Sequence, residues 1–167
     1  MNKEHLIEEI NKAFDYKEVL KEAVKNHHKI IILGNGGSNA VASHISQDYT
    51  KALGKKAFTF SDPSRLTCYI NDYGMENANT KFLQEFCSKN TLVIIMSSGG
   101  DSENMVRAVN YCKDNNIATA VLTGFNRQSK LADITFPTRL FHYWCDSKDY
   151  GVVECVHQIL LHSIIGD

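Results

Sequence analysis

The stretch KIIILGNGGSNAVASHISQDY, residues 29–49, contains the pattern that determines the fold. Its first five residues form an apolar run that ends at a glycine, which is typical of a strand buried on both faces of a parallel sheet. The following GNGGS has the composition of a tight loop, and helical spacing of apolar residues comes after it. The stretch therefore predicts a buried parallel strand, a loop and a helix.

The same alternation of short apolar runs and helical segments continues along the chain. The predicted strands are 29–33, 57–60, 92–96, 118–122 and 134–136, and the predicted helices are 39–52, 77–88, 101–113 and 150–164. Parallel strands need crossovers of about a dozen residues or more, which these intervals provide. The sequence thus predicts an α/β fold with a doubly wound, flavodoxin-like, five-stranded parallel sheet flanked by helices.

The segment before the first strand has its own pattern. Apolar residues at helical spacing between Leu6 and Val24 predict one or two amphipathic helices with a break near Asp15. A length of 167 residues fits one domain. We therefore expect a single domain over 1–167 that begins with a helical segment over about 1–28.

Composition limits the classes of partner. A net charge of −1 offers no basic field for a nucleic acid, and no apolar stretch approaches the roughly 20 residues that span a bilayer. The charged N-terminus does not resemble a signal peptide. The five cysteines include no CxxC pair, which favours reduced thiols. We expect a cytoplasmic protein with a small-molecule partner and neither nucleic-acid nor membrane partners.

Two glycine- and serine-rich loops follow predicted strands: the first loop, Gly34–Ser38 (GNGGS), and the second loop, Ser97–Ser102 (SSGGDS). In a doubly wound sheet, ligands bind beyond the carboxyl ends of strands. Glycine N–H groups, hydroxyls and helix N-termini all favour a phosphate. Neither loop has GxGxxG or the lysine of GxxxxGK[ST]. Each alone is compatible with a plain turn, but the pair predicts a phosphate site. The segment 71–74 (NDYG) has turn composition.

Ionisable residues in two predicted helices suggest a metal or acid/base site. His44 and Asp48 are four residues apart and so share one helix face. The last helix is strongly apolar yet contains Glu154, His157 and His162. His44, Asp48, Glu154 and His162 together would suit zinc or a similar divalent ion. Residues eight apart are separated by about 12 Å along a helix axis, so Glu154 and His162 could share an ion only by reaching toward each other. A hydrogen-bonded core histidine or a subunit contact is the alternative.

In combination and in order, these motifs resemble the SIS (sugar isomerase) domain family, and within it the phosphoheptose isomerases. The resemblance extends over nearly the whole chain. It rests on the two loops, SDPS at 61–64, NDYG at 71–74, LTG at 122–124 and EXXHXXXXH at 154–162. It implies isomerisation of sedoheptulose 7-phosphate to glycero-manno-heptose 7-phosphate for surface-polysaccharide heptose synthesis, in a homo-oligomer, a tetramer.

The resemblance also implies roles for individual residues. Asp48 and His162 would be the catalytic acid/base pair. Zinc or a similar divalent metal would be held by His44, Asp48, Glu154 and His162. Substrate would be bound by Asn35, Gly36, Gly37, Ser38, Asn71, Asp72, Ser97, Ser98, Ser102 and Glu154, with the three serines of the second loop on the phosphate.

The sequence departs from the family pattern at several of these positions. Glu is usual where Asp48 stands, and Gln is usual where Glu154 stands. The second loop is usually STSGNS, so Gly99 removes a hydroxyl and Asp101 adds a charge that repels phosphate unless it is turned away as a helix cap. Two alternatives to the phosphoheptose isomerase remain: a non-catalytic phosphosugar-binding regulator or adaptor, and an isomerase of another ketose phosphate such as a hexulose phosphate.

Overall fold

Five parallel strands form one sheet in the computed structural model, which describes residues 2–166. The strands are β1 (Lys29–Leu33), β2 (Lys56–Thr59), β3 (Thr91–Ser97), β4 (Ala118–Thr123) and β5 (Arg139–Trp144). They lie in the order β2-β1-β3-β4-β5, and all four pairings are parallel. This is the strand order of a flavodoxin-like doubly wound sheet, and it confirms the predicted fold class.

Helices cover both faces of the sheet. They are α1 (Lys3–Phe14), α2 (Lys17–Asn26), α3 (Gly36–Leu53), α4 (Pro63–Tyr73), α5 (Met75–Phe86), α6 (Glu103–Asp114), α7 (Lys130–Asp133) and α8 (Tyr150–His162). Successive residues of β3 enter opposite hydrophobic cores: Ile94 packs with α1–α3 and α8, whereas Val93 and Ile95 pack with α5 and α6. Because both faces are buried, the strand forms the continuous apolar run that identified it.

The two predicted N-terminal helices are present, with the break after Phe14. They pack on the same sheet face as α3 and α8. Buried Glu9 of α1 binds the far end of β5, where its carboxylate accepts a hydrogen bond from the Asp146 N–H at 2.9 Å. Lys12 Nζ lies 2.8 Å from the same side chain. These contacts fix the helical segment to the sheet, although the assignment of the chain to one domain stays a prediction.

The predicted fifth strand at 134–136 is wrong. That segment is an irregular connection between α7 and β5, and Ile134 and Phe136 pack from it onto the α5/α6 core. The actual strand is an edge strand, in which buried Phe141 and Tyr143 alternate with partly exposed residues. Covered on one side only, it has no continuous apolar run, so a search for such runs misses it.

The turn composition of 71–74 does not produce a turn over the whole segment, because residues 71–73 form the last turn of α4. Asp62 begins this helix by accepting a hydrogen bond from the Arg65 N–H at 2.8 Å, and Pro63 occupies its first turn. Gly74 ends the helix with φ 78°. Only this last residue of the NDYG motif therefore lies outside the helix. Within residues 2–166, no helix is long and apolar enough to cross a membrane.

Candidate active site

A cavity of about 250 Å³ opens beyond the carboxyl ends of β1 and β3, where the strand order reverses. Its walls are the first loop, the second loop and the start of α8. We call this cavity the cleft. It is lined by Asn35, Gly36, Gly37, Ser38, Ser97, Ser98, Gly99, Ser102, Tyr150 and Glu154. The structure therefore brings together eight of the ten predicted substrate-binding residues. Gly99 and Tyr150 also line the cleft but were not predicted.

The first loop passes directly into α3. Gly36, with φ 53°, is the first residue of the helix, and Asn35 is its N-cap. The Asn35 side chain makes no capping hydrogen bond, so the first-turn N–H groups have no partner from the cap. At Gly34 a side chain would come within 2.7 Å of Ser38. Glycine at this position thus allows the loop to turn tightly beneath the helix start.

The second loop has the same organisation at the start of α6. Its N-cap Ser102 makes no side-chain capping bond. The Ser98 hydroxyl is buried and has no hydrogen-bond partner among residues 2–166, whereas the Ser97 hydroxyl accepts a bond from the Gly100 N–H at 3.2 Å. A buried hydroxyl left unpaired costs about 1–3 kcal/mol. A ligand oxygen in the cleft would satisfy it, and a helix N-terminus favours that ligand being an anion.

Asp101 does not place its charge in the cleft. Its carboxylate accepts a hydrogen bond of 2.8 Å from the N–H of Lys130, the first residue of α7. The Asp101 side chain therefore binds the start of α7. Its charge is turned away from a phosphate in the cleft, as the sequence departure required.

A pair of side-chain amides joins the two loops. Asn35 and Asn104 exchange hydrogen bonds of 3.0 and 2.8 Å, and Asn104 also donates to Asn79 at 3.2 Å. Asn104 is buried in the first turn of α6. Neither Asn104 nor Asn79 belongs to a recognisable sequence motif, so neither was predicted. Their effect is to hold the first loop against the helix that follows the second loop.

Three of the predicted metal ligands lie together, at a distance along α3 and α8 from the cleft. We call His44, Asp48 and His162 the histidine cluster. Asp48 Oδ2 accepts a hydrogen bond from His162 Nε2 at 3.0 Å and lies 3.3 Å from His44 Nε2. One ligand atom from each residue falls within 4.8 Å of the others. Two imidazoles and one carboxylate are a donor set of catalytic zinc sites, so these residues fit a divalent metal.

The fourth predicted ligand, Glu154, is not part of the cluster. It lines the cleft, where its carboxylate lies so close to Gly37 that a Cβ on that residue would be 2.3 Å from Oε2. The rise of α8 explains the separation, because His162 lies about 12 Å further along the axis. Glu154 as a fourth metal ligand therefore stays a prediction, since only the other three lie together in this structure.

Asn71 and Asp72, predicted to bind substrate, are the two predicted residues absent from the cleft. They are exposed on the last turn of α4, where the Asn71 amide donates to the Asp72 carboxylate at 2.9 Å. Helix formation explains this position, since residues 71–73 belong to α4 and not to a loop at the cleft. The geometry of this chain does not support a role for either residue in the cleft.

His157 is a core histidine and belongs to neither site. Its Nε2 donates to the Thr123 carbonyl at 3.1 Å, while Nδ1 has no partner in the described part of the chain. Burial lowers the pKa of His157 to about 4, so the ring is neutral near pH 7. Burial likewise lowers the pKa of His142, which shares a 2.7 Å hydrogen bond with the Thr123 hydroxyl, to about 4.

Tyr150 at the mouth of the cleft was not predicted. It is the first residue of α8 and remains 63% exposed. Its ring meets Phe125 edge to face, with centroids 4.6 Å apart. Phe125 has φ 48°, a left-handed conformation that is uncommon for an aromatic residue. No spacing pattern marks either ring, because the pair forms between a loop and a helix start.

Comparison with known proteins gives consistent matches. Residues 2–124 match the family model described as SIS domain. The chain is 32% identical over 142 residues to the phosphoheptose isomerase of Fusobacterium nucleatum, covering 82% of this chain and 71% of that protein. It is 32% identical over 157 residues to that of Cytophaga hutchinsonii, covering 89% and 78%. The solved phosphoheptose isomerase of Neisseria gonorrhoeae superposes with a TM-score of 0.80 at 24% identity, covering 95% and 88%.

Proposed function

The chain belongs to the SIS domain family, and on that premise we propose that it is an aldose–ketose isomerase of phosphosugars. The proposed reaction converts sedoheptulose 7-phosphate to glycero-manno-heptose 7-phosphate, which supplies heptose for surface polysaccharide. The observation that carries the proposal is the cleft, in which two uncapped helix starts and the unpaired Ser98 hydroxyl converge. The relatives named phosphoheptose isomerase support the choice of sugar.

The second loop would hold the phosphate. Ser97, Ser98 and Ser102 offer hydroxyls, and the start of α6 offers N–H groups and the favourable end of the helix dipole. None of the described residues that line the cleft is Lys or Arg, so hydrogen bonds rather than ion pairs would bind the anion. The first-loop residues that would contact the sugar are Asn35, Gly36, Gly37 and Ser38.

The histidine cluster would hold a divalent metal, which we propose is zinc. Such an ion, when bound, polarises a carbonyl oxygen of the substrate. Asp48 and His162 are the acid/base pair implied by the resemblance, but here they hydrogen-bond each other. In this arrangement we propose that Asp48 orients both imidazoles, as a carboxylate between two metal-binding histidines does.

Aldose–ketose isomerisation moves a proton between two adjacent carbons through an enediol. It therefore needs a base near those carbons and a fixed position for the chain. A phosphate held in the cleft fixes one end of the sugar. Gly37, His44 and Asp48 share one face of α3, since they are seven and eleven residues apart. This face leads the free end of the sugar toward the histidine cluster.

We further propose a cytoplasmic homotetramer. Two sets of exposed apolar side chains support an assembly: Ile7 and Phe14 on α1, and Tyr73 and Met75 where α4 meets α5. Surfaces of this kind are commonly covered by another subunit. Asn71 and Asp72 adjoin the second set. Sedimentation velocity on the purified chain would test the tetramer.

The reaction can be tested with the purified protein and sedoheptulose 7-phosphate, fructose 6-phosphate and ribulose 5-phosphate as separate substrates, with products followed by proton NMR. We expect the aldose heptose phosphate to form, a chelator to stop its formation and added zinc to restore it. Preferred turnover of fructose 6-phosphate would change the substrate. Tight binding without turnover of any ketose phosphate would instead support the non-catalytic regulator.

A further inference from the structure

We propose that Asn104 is a positioning residue for the substrate: its amide pair with Asn35 holds the first loop in the conformation that binds the phosphosugar. The inference rests on the proposed function and extends it, because Asn104 does not itself line the cleft. It is argued from the hydrogen bonds of three asparagine side chains, from their burial and from the geometry where α3 begins.

The first observation is that the amide of Asn104 matches its surroundings. Its Nδ2 donates to Asn35 Oδ1 at 2.8 Å and to Asn79 Oδ1 at 3.2 Å, and its Oδ1 accepts from Asn35 Nδ2 at 3.0 Å. A primary amide has two N–H donors beside its acceptor oxygen, so both donors are used here. A hydroxyl or a carboxylate of similar size cannot make all three bonds. The position therefore specifies an amide.

The second observation is where these bonds are made. Asn104 and Asn79 are only 5% and 6% exposed. Their neighbours in sequence, Met105 and Ala78, belong to the buried core formed by α5, α6 and one face of the sheet. Water cannot readily replace a hydrogen bond lost at such a depth, so an unpaired amide there is destabilising. The three amides are therefore anchored in the core, and the outer one, that of Asn35, reaches the cleft.

The third observation is the direction of the Asn35 side chain. An asparagine N-cap usually accepts a hydrogen bond from the second or third N–H of its helix, which in α3 belong to Gly37 and Ser38. Within the described residues Asn35 makes no such bond, and its oxygen accepts from Asn104 instead. Asn104 thus turns this side chain away from the helix start, where Gly37 and Ser38 line the cleft.

The amide pair also joins two walls of the cleft. Asn35 lies in the first loop, and Asn104 is the second residue of α6, directly after the second loop. In the proposed function the second loop holds the phosphate and the first loop contacts the sugar. Two contacts with one ligand both add to its affinity only when the protein holds them at the right separation. Loss of the pair should therefore weaken binding of the whole phosphosugar far more than binding of inorganic phosphate.

The test compares Asn104→Leu, which removes all three bonds with a side chain of similar size, with Asn104→Asp, which keeps only the acceptor. Asn90→Asp is the matched control, because Asn90 is exposed directly before β3, at the end of the sheet opposite the cleft. We expect KM for sedoheptulose 7-phosphate to rise at least about 20-fold in Asn104→Leu, with kcat reduced by less than about fivefold. Asn104→Asp should show a smaller rise in KM, and Asn90→Asp none.

Equilibrium binding distinguishes positioning from a general loss of structure. Glucitol 6-phosphate has no carbonyl group and cannot react, so calorimetric titration measures its affinity directly. In Asn104→Leu this affinity should fall at least about 20-fold, whereas the affinity for inorganic phosphate should stay within about threefold. A double-mutant cycle with Asn35→Ala should show that the effects of the two changes on affinity are not additive, because Asn104 acts through Asn35.

The inference is overturned, while the isomerase function stands, if Asn104→Leu unfolds cooperatively in urea yet keeps its KM and its affinity for glucitol 6-phosphate within about threefold of wild type. Equal losses of affinity for glucitol 6-phosphate and inorganic phosphate would also overturn it, and so would additive effects in the cycle. If Asn104→Leu does not fold, Asn104→Asp carries the same comparison. If the wild type binds glucitol 6-phosphate but isomerises no ketose phosphate, the proposed reaction fails, and the titrations still decide the role of Asn104.

Discussion

The cleft and the histidine cluster lie at two ends of one surface formed by α3 and α8, and they differ in how their polar groups are satisfied. In the cluster, Asp48 accepts a hydrogen bond from His162 and lies 3.3 Å from His44 Nε2. In the cleft, the Ser98 hydroxyl and the Glu154 carboxylate have no partner within the described residues. A group that is already bonded can hold and orient, whereas an unbonded one awaits a ligand. This difference supports the proposal that the cluster binds a metal and that the cleft contacts the substrate.

The sharpest separation of the two regions is expected from Asp48→Asn. The change removes the charge that joins the two imidazoles, so affinity for zinc should fall by on the order of 100-fold or more, and kcat at least as far. The affinity for a non-reacting sugar phosphate should stay within about threefold, because the cleft is unaltered. Calorimetric titrations with zinc and with the phosphosugar measure both quantities. Unchanged zinc affinity would remove the cluster as the metal site.

Gly37→Ala should damage the cleft without touching the cluster. The new Cβ would come within 2.3–2.6 Å of the Glu154 carboxylate and force it aside. A displacement of this size near the chemistry costs roughly 100-fold in kcat, while zinc affinity should persist. Gly99→Ala is the matched variant in the second loop, since a Cβ there meets no atom within 4 Å. Equal losses in both variants would show that the loss does not come from displacement of the Glu154 side chain.

Buried His157, in the middle of α8, should make the stability of the fold depend on pH. The pKa of His157 is lowered from 6.5 to about 4 by burial, so below pH 6.5 the unfolded chain binds more protons than the folded one. The contribution of the neutral His157 ring to the free energy of unfolding is fully present above pH 6.5 and is lost as the pH falls toward 4. Between pH 6.5 and 5 the loss is about 2 kcal/mol.

Urea denaturation of wild type and His157→Gln at pH 7 and pH 5 measures this effect. The variant should lose about 2 kcal/mol less than wild type over that interval, because it carries no titrating ring at the buried position. Parallel losses in the two proteins would show that His157 is not the group responsible.

The smallest effect is expected at the mouth of the cleft. Tyr150→Ala removes a ring that is 63% exposed, so KM should rise by about 3- to 10-fold with kcat little changed. Tyr150→Phe should retain the wild-type KM if the ring face makes the contact. Steady-state kinetics of the two variants decide between these outcomes. A fall in kcat without a change in KM would place Tyr150 in the chemistry.

The strands that sequence identified most directly are those that are buried on both faces of the sheet. β1, β3 and β4 are covered on both faces, and each therefore contains a continuous apolar run. β5 is an edge strand in which Arg139 and His142 interrupt the apolar residues, and its pattern alone does not distinguish it from a loop. The missed α4 is defined by Asp62, Pro63 and Gly74 at its ends, and buries no residue of its own.

The candidate site was likewise predictable from sequence only in part. The two loops were predicted because glycine and serine directly after a buried strand are typical of a ligand-binding loop. The separation of Glu154 from His44 and Asp48 depends on how α3 and α8 lie side by side, which no spacing within either helix specifies. The Asn35–Asn104 pair likewise joins residues 69 apart in sequence, so only the folded chain brings them together.

We propose that the cleft and the histidine cluster act together to isomerise a phosphosugar. The most direct test is to incubate the wild-type protein with zinc and sedoheptulose 7-phosphate in deuterium oxide and to follow carbons 1 and 2 by NMR. We predict an aldose heptose phosphate with deuterium at carbon 2, recovered ketose with deuterium at carbon 1, and a loss of both on chelation. Absence of both aldose and deuterium, with the ketose phosphate nonetheless bound, would contradict the account.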